Sequence, residues 1–477
     1  MADRKIVFVN PPIRLTKRYG RLAAAGGIEP PFGLCYLAAV TRKMGYKTLI
    51  IDAEALQLDL YGTFKEVLRH NPDYVGITAT TVSIIPAGEL ARRLKFRRPE
   101  LRVLIGGPHL TALPVATMNE NPGFDWGVIG EGEETIEELF RSLEERRDLS
   151  SVRGLVFREK GNTVLNPPRP PVPDLDRLPL PAFDLLPDIP CYYRLSMQEA
   201  YKMPSISLIT SRGCHGKCTF CSKAVSGSLV RFHGEEYIAS MIKTVLAYGI
   251  KTVQFKDSNL FMSEKHLRNV TRAFKRFRGN ISWSCSARID DTTEEKLRLA
   301  KYGGCRQIMY GIESTDPKIL SLYRKNVPLE KTREIISLTS SLGMSPKGFF
   351  MFGNPLETRS SLRESARFML RNRLDDVSIT FFTPFPGAPV WEIAEGLGEF
   401  TRDWKKMNYF EIVFTPFGLN PEYLVKFHKK TLLRFYLRGR IILNYMRRIN
   451  SWRILKFSFV TALSFFYYTL LPQRRNR

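Results

Sequence analysis

The chain has 477 residues, with 72 Lys and Arg against 47 Asp and Glu, giving a formal charge of +25. A chain this long is expected to hold about two to four domains, and 44% hydrophobic with 25% charged residues excludes wholesale disorder. The charge is uneven: residues 423–477 carry 13 Lys and Arg and no Asp or Glu, so slightly more than half of the excess sits in that segment. From the N-terminus, short apolar runs alternate with helical patterns. Lys5–Val9, Lys47–Asp52, Asp73–Thr78, Val103–Gly106 and Trp126–Ile129 read as strands; Gly33–Met44, Ala87–Phe96 and Glu133–Glu145 read as helices. Strands separated by single helices predict right-handed crossovers and a parallel sheet, which binds ligands at the carboxyl ends of its strands. The residues there are Asn10-Pro11-Pro12, Thr78–Ser83, Gly106-Gly107-Pro108-His109 and Gly130-Glu131-Gly132-Glu133. Four such loops on one sheet favour a nucleotide-like ligand.

A hairpin is expected over Val152–Phe157 and Thr163–Leu165. The stretch that follows it, NPPRPPVPDLDRLPLPAFDLLPDIP, is too rich in proline for a helix or a central strand. It reads as an extended connector over a neighbouring domain. Strand–helix alternation then resumes, with strands expected at Ile206–Thr210, Thr252–Lys256, Ser282–Cys285, Gln307–Tyr310, Lys347–Met351 and Asp376–Thr380. Six such units predict a full or partial βα barrel with its chemistry at the C-terminal strand ends. After residue 400 the pattern is helical and basic. His428–Arg448 reads as a basic amphipathic helix. The apolar run FSFVTALSFFYYTLL is short for a membrane span but suits a membrane interface.

Cysteine usage carries the strongest local signal. The chain has seven cysteines, an odd number that does not suggest a disulfide framework. The first residues lead straight into a strand with no signal peptide, so a cytoplasmic protein is expected. Cys214, Cys218 and Cys221 stand in C-x3-C-x2-C spacing within TSRGCHGKCTFCS, just after a predicted strand. Three thiolates this close can hold three irons of a [4Fe–4S] cube and leave the fourth open. Zinc is the alternative, with His215 or His233 as a fourth ligand. A zinc-stabilised module holding nucleic acid by its basic tail is the corresponding non-enzymatic reading. The tail lacks any recognised fold for that task, so nucleic acid is not the expected partner.

With FKDSN, WSCSARID, MYGIES, MFGNPLET and TPFPGAPVWE following in order, the chain resembles the cobalamin-binding radical SAM family, class B in the methyltransferase nomenclature. The resemblance implies an α/β fold: a Rossmann-like cobalamin-binding domain over 1–150, a hairpin and Pro-rich linker over 151–195, a radical SAM partial βα barrel over 196–400 and a basic helical region over 401–477. It implies that Cys214, Cys218 and Cys221 ligate a [4Fe–4S] cluster that cleaves S-adenosylmethionine to a 5′-deoxyadenosyl radical. S-adenosylmethionine is then expected at Phe220, Asp257 or Ser258, Ser284, Arg288, Gly311 and Glu313. Cobalamin is expected at Asn10, Thr78, Thr80, Thr81, Ser83, Gly106, Gly107, Gly130, Glu131 and Glu133. The family's D-x-H-x-x-G motif is missing, since no D-x-H occurs in the chain, so a protein histidine below cobalt is not expected. His109 in GGPH would face the nucleotide tail.

The activity implied is methylation of an unactivated carbon of a hydrophobic or lipid-like small molecule, with radical cyclisation or rearrangement as the alternative. A flavodoxin or ferredoxin would supply electrons. Residues 423–450 would cap the barrel, while peripheral membrane contact within 423–477, favoured for its apolar run 457–471, would place the protein in the cytoplasm or peripherally at the inner membrane face. The tRNA methylthiotransferases share the cysteine triplet but need three more cysteines in the N-terminal domain. Here that domain has only Cys35.

Overall fold

The structure is a computed structural model that describes residues 4–277 and 279–470. Seven strands form the first sheet: β1 (Lys5–Asn10), β2 (Lys47–Asp52), β3 (Tyr74–Thr78), β4 (Arg102–Gly106), β5 (Trp126–Val128), β6 (Leu155–Glu159) and β7 (Asn162–Leu165). Their order is β2-β1-β3-β4-β5-β6-β7. β1 to β5 run parallel, whereas β6 is antiparallel to β5 and β7 to β6. The hairpin after residue 150 therefore extends the first sheet instead of standing apart from it. β1 is apolar at nearly every position because both faces are covered: Ile6 and Phe8 join one buried cluster, Val7 and Val9 the other. Strand order reverses beside β1, with β2 on one side and β3 on the other. Asn10 and Thr78 stand at that switch point, where such sheets open a crevice.

The proline-rich segment lies across both halves of the molecule. Tyr193 donates to Asp52 at 2.8 Å, Ala182 N–H to Cys35 O at 3.1 Å, and Ile28 bridges Arg194. The second sheet contains β8 (Ser205–Leu208), β11 (Thr252–Phe255), β12 (Ser282–Ala287), β13 (Cys305–Glu313), β14 (Ser345–Phe352) and β15 (Asp376–Phe381). These six strands pair in parallel, in chain order, and β8 and β15 remain its two edges. It is thus a partial barrel. Between β8 and β11 a small antiparallel pair, β9 (Ser211–Arg212) and β10 (Arg231–Phe232), closes the base of the cysteine loop. The cluster that includes Ile6 and Phe8 continues through Ile206, Val253 and Ile308, so one apolar core joins the two sheets.

The C-terminal region forms helices Pro421–Tyr436, Gly439–Arg448 and Trp452–Leu470. The single helix expected over 428–448 is in fact two. Arg438 is extended, with ψ 130, and its guanidinium donates to Leu370 O and Leu374 O. Gly439 just after it weakens helix propagation. Among the described residues no helix is long and apolar enough to cross a membrane.

Candidate active site

The three clustered cysteines leave the second sheet after β8 and return through β10. Gly213 makes this path possible: its φ is +86, and a Cβ there would collide with Leu229 O. Lys223 ties the loop by donating to Cys214 O at 3.1 Å and to Gly216 O. Cys218 is buried, Cys214 half-buried and Cys221 open to solvent on one side. Among the described residues no three His, Cys, Asp or Glu side chains stand in metal-holding geometry. The cysteines nevertheless influence one another: desolvation, then the charges of Cys218 and Cys214, push the Cys221 thiol up to about 11.

The two histidines offered as zinc ligands are engaged elsewhere. His233 faces Asp176 at 2.9 Å and Tyr36 at 3.5 Å, and His215 faces Asp291 at 3.4 Å. Burial holds His233 near pKa 4, so it is neutral at physiological pH.

The strand-end residues fall into two groups. Arg288, after β12, donates to Cys218 Sγ at 3.2 Å while Asp290 fixes its other face at 3.0 and 2.5 Å. Phe220 stacks edge-on against Tyr323 at 4.8 Å. Gly311 lines a narrow crevice with Ile289, Ser314 and Lys325. Glu313, at φ +66 where β13 bulges, pairs with Lys325 at 2.9 Å. Ser258 is exposed, and Ser284 is buried with its hydroxyl unpartnered. Asp257 is different. Its carboxylate accepts from Thr210 N–H at 3.1 Å, from Thr210 Oγ1 at 2.9 Å and from Ser211 Oγ. It locks the start of the cysteine loop and has little capacity left for a ligand.

Burial raises the Asp257 carboxyl to about 6, against the opposing hydrogen bonds from Ser211 and Thr210. A carboxyl raised in the folded state weakens stability as it ionises. Stability should therefore fall as pH rises from about 4 to about 6, by about 3 kcal/mol from this group, and then level off. Asp257→Asn should remove that part of the slope in urea unfolding followed across this range. An unchanged slope would show that the carboxyl is already ionised when buried.

Sequence reasoning missed a second support. Thr219 donates to Leu322 O at 2.8 Å, Tyr323 to Asn354 Oδ1 at 2.6 Å, and Glu357 accepts from Asn354 N–H at 3.0 Å. Glu357 is buried, with a carboxyl raised to about 8 by that burial. The motif MFGNPLET was visible in the chain, but its role of bracing the loop depends on Tyr323, which no spacing connects to it. Asn259 was missed too; it accepts from Arg288 N–H at 3.2 Å and donates to Asp291 at 2.5 Å.

On the first sheet, Asn10 donates to Asp52 at 2.8 Å. Thr80 and Ser83 form a capping box over the turn at Thr81–Ser83. Thr81 faces the buried His109 at 3.3 Å. His109 meets Trp404 edge-on at 5.0 Å, and burial holds it near pKa 4. Gly107 has φ +99, and a Cβ on it would meet Ala79 O and Thr78 Oγ1 at 2.8 Å, so only glycine lets these loops close. Gly106 stays half-open beside it, and Gly130 donates its N–H to Thr111 at 3.1 Å.

Glu131 and Glu133 turn away from that sheet toward the cysteine loop. Arg231 donates to both oxygens of Glu131 at 2.8 and 2.6 Å, and Arg212 to Glu133 at 2.6 Å while lying over the Tyr36 ring. The two sheets' loops meet at Gly387, φ +79. A Cβ there would stand 2.9 Å from Ser222 Oγ, 3.2 Å from Ala112 Cβ and 3.4 Å from Ala224 Cβ. Gly387→Ala should cost about 1–2 kcal/mol in thermal unfolding. A neutral result would mean that this junction is loose.

The family model of the B12 binding domain matches residues 20–140, and that of the Radical SAM superfamily matches residues 208–369. An uncharacterized methyltransferase of Pyrococcus horikoshii is 32% identical over 447 residues, 93% of this chain and 95% of its own. The chain belongs to the cobalamin-binding radical SAM family. Another relative of this radical SAM protein is the anaerobic magnesium-protoporphyrin IX monomethyl ester cyclase of Rubrivivax gelatinosus, 24% identical over 92% of this chain and 77% of that one. Among solved structures, the cobalamin-dependent S-adenosylmethionine radical enzyme OxsB with aqua-cobalamin bound shares the fold. Its TM-score is 0.72 at 17% identity, covering 98% of this chain and 72% of OxsB. The donor chemistry of this radical SAM protein suits the family's groups: soft thiols in the loop after β8, and a loop after β4 whose Gly107 lies against Thr78 at the switch point.

Proposed function

We propose that this enzyme is a cobalamin-dependent methyltransferase that C-methylates an unactivated carbon of a hydrophobic or lipid-like metabolite, peripherally at the inner membrane face. The observation that carries this reading is the meeting at Gly387 of the cysteine loop with the helix after Gly107. It supports a reading in which the two cofactor-type sites share one mouth. When bound, a reduced [4Fe–4S] cluster supplies the electron that splits S-adenosylmethionine to a 5′-deoxyadenosyl radical, and cobalamin supplies the methyl carrier.

Cys214, Cys218 and Cys221 hold the cluster. Arg288, fixed by Asp290, offers a planar cation to the carboxylate of S-adenosylmethionine beside Cys218. Ser258, exposed at the strand end, takes the amine, a role for which Asp257 is already spent on Thr210 and Ser211. Phe220, Ser284, Gly311 and Glu313 complete that site. Asn10, Thr78, Thr80, Thr81, Ser83, Gly106, Gly107 and Gly130 line the cobalamin side, and His109 is taken up by Thr81 and Trp404. Glu131 and Glu133 act through the arginines they hold. Electrons come from a reductant of the flavodoxin or ferredoxin kind.

The test is anaerobic reconstitution. Four irons per chain, a cobalamin spectrum and 5′-deoxyadenosine on reduction are expected. With trideuteromethyl S-adenosylmethionine, the product should carry the labelled methyl. One zinc and no cleavage would overturn the reading. The cyclase relative supports a second reading, radical ring closure, and a product oxidised without gaining label would select it.

A further inference from the structure

The helix Trp452–Leu470 has two apolar sides, and among the described residues only one of them is covered. Its inner side packs on the chain. Ile454 is fully buried, Phe465 lies against Tyr436 at 5.3 Å, and Phe457 lies under Arg194 at 5.4 Å. The outer side repeats every three to four residues as Trp452, Leu455, Phe459, Leu463, Phe466 and Leu470. Their exposure runs from 39% at Leu455 to 76% at Trp452. At about 1.5 Å per residue this stripe is close to 30 Å long. The preceding helix adds exposed Ile442, Leu443 and Met446. Soluble surfaces rarely leave so much contiguous apolar area to water. The helix start is pinned at the N-terminal end of β14: Asn450 donates to Tyr201 O, and Arg448 to Gln198 O and to Ser345, which begins that strand.

We propose that this stripe is the docking face for an anionic lipid bilayer, with the helix lying in the interface plane. Charge decides the occupant. Exposed Arg447, Arg453 and Lys456 flank the stripe, and no acidic residue follows Glu422. A second copy of the chain would set these like charges against one another, whereas an anionic headgroup layer neutralises them. The helix is not long and apolar enough to cross, so it lies on the membrane. Trp452, the most exposed of the stripe, sits where an indole favours the headgroup boundary. The inference deepens the membrane placement of the proposed function and is tested apart from the cofactor chemistry.

The full-length protein is tested by flotation with vesicles of phosphatidylcholine, with and without one-third phosphatidylglycerol. Binding to the anionic vesicles is expected, with a blue shift of tryptophan emission, and should weaken in high salt. Phe459→Ser with Leu463→Ser should lower partitioning by about a hundredfold. Arg453→Glu with Lys456→Glu should erase the preference for phosphatidylglycerol. All four positions are outside the catalytic machinery, so the thermal midpoint and S-adenosylmethionine cleavage should hold, which separates lost docking from lost folding. Equal binding to neutral vesicles would overturn the charge argument. No vesicle binding, together with a dimer broken by the Phe459/Leu463 pair, would assign the stripe to a second copy. No binding by a monomer would overturn the proposal outright.

Discussion

Cys218→Ala is expected to abolish S-adenosylmethionine cleavage, by at least about a thousandfold, and to strip iron from the reconstituted protein. Cys214→Ala and Cys221→Ala should do the same, because a site with three protein ligands has none to spare. The structure separates these from the remaining cysteines. Cys285 and Cys305 are buried on β12 and β13, within the apolar core that packs the barrel helices. Cys285→Ser should therefore lower stability while leaving iron content per folded chain unchanged. Cys218 is also the thiol that Arg288 approaches. Arg288→Lys should retain iron and raise the apparent KM for S-adenosylmethionine, since a lysine cannot keep both Asp290 and a carboxylate in one plane. Iron analysis and 5′-deoxyadenosine release read these effects separately. Full iron content in Cys218→Ala would refute the ligand assignment.

Arg231→Ala should destabilise the whole chain by about 3 kcal/mol, the low end of the usual cost of breaking a buried pair, because Arg212 still stands 3.5 Å from Glu131. Arg231 and Glu131 are 5% and 4% exposed, and the arginine also donates to Val172 O at 2.7 Å. Three segments far apart in the chain thus meet on one guanidinium: the loop after β5, the proline-rich connector and the base of the cysteine loop. Arg231→Lys should recover only part of the loss, because an ammonium cannot match both carboxylate oxygens. Arg231→Met combined with Glu131→Gln should be more stable than Arg231→Ala, since no charge is left buried alone. Thermal and urea unfolding measure this order. If Arg231→Ala unfolds like the wild type, the clamp does not hold the two sheets together.

Much of the fold was legible along the chain. β1 and β3 are short, nearly unbroken apolar runs, as strands buried on both faces must be. The six strands of the second sheet lie where apolar runs alternate with helical spacing, and their ends differ from expectation by a few residues. The cysteine loop was legible because its ligand spacing is local. The hairpin of β6 and β7 was visible as a hairpin, but its pairing with β5 was not, because nothing in either segment encodes a neighbour so distant in sequence. The C-terminal helix break was hidden as well, since apolar spacing continues through Leu437 while the cause, capture of Arg438 by Leu370 O and Leu374 O, is tertiary.

Period, spacing and motif order carry the family and the two sheets, and they bring three thiols within eight residues of one another. The tertiary structure decided which charged residues at the strand ends are left for ligands. Asp257, Glu131 and Glu133 occupy ligand-type positions by motif. Burial makes each of them take a protein partner: Thr210 and Ser211 for the first, Arg231 and Arg212 for the others. A carboxylate removed from water must be paired, and its partner is chosen by the packing of segments 46 to 100 residues away. That choice is a property of the folded chain, and no local pattern of residues carries it.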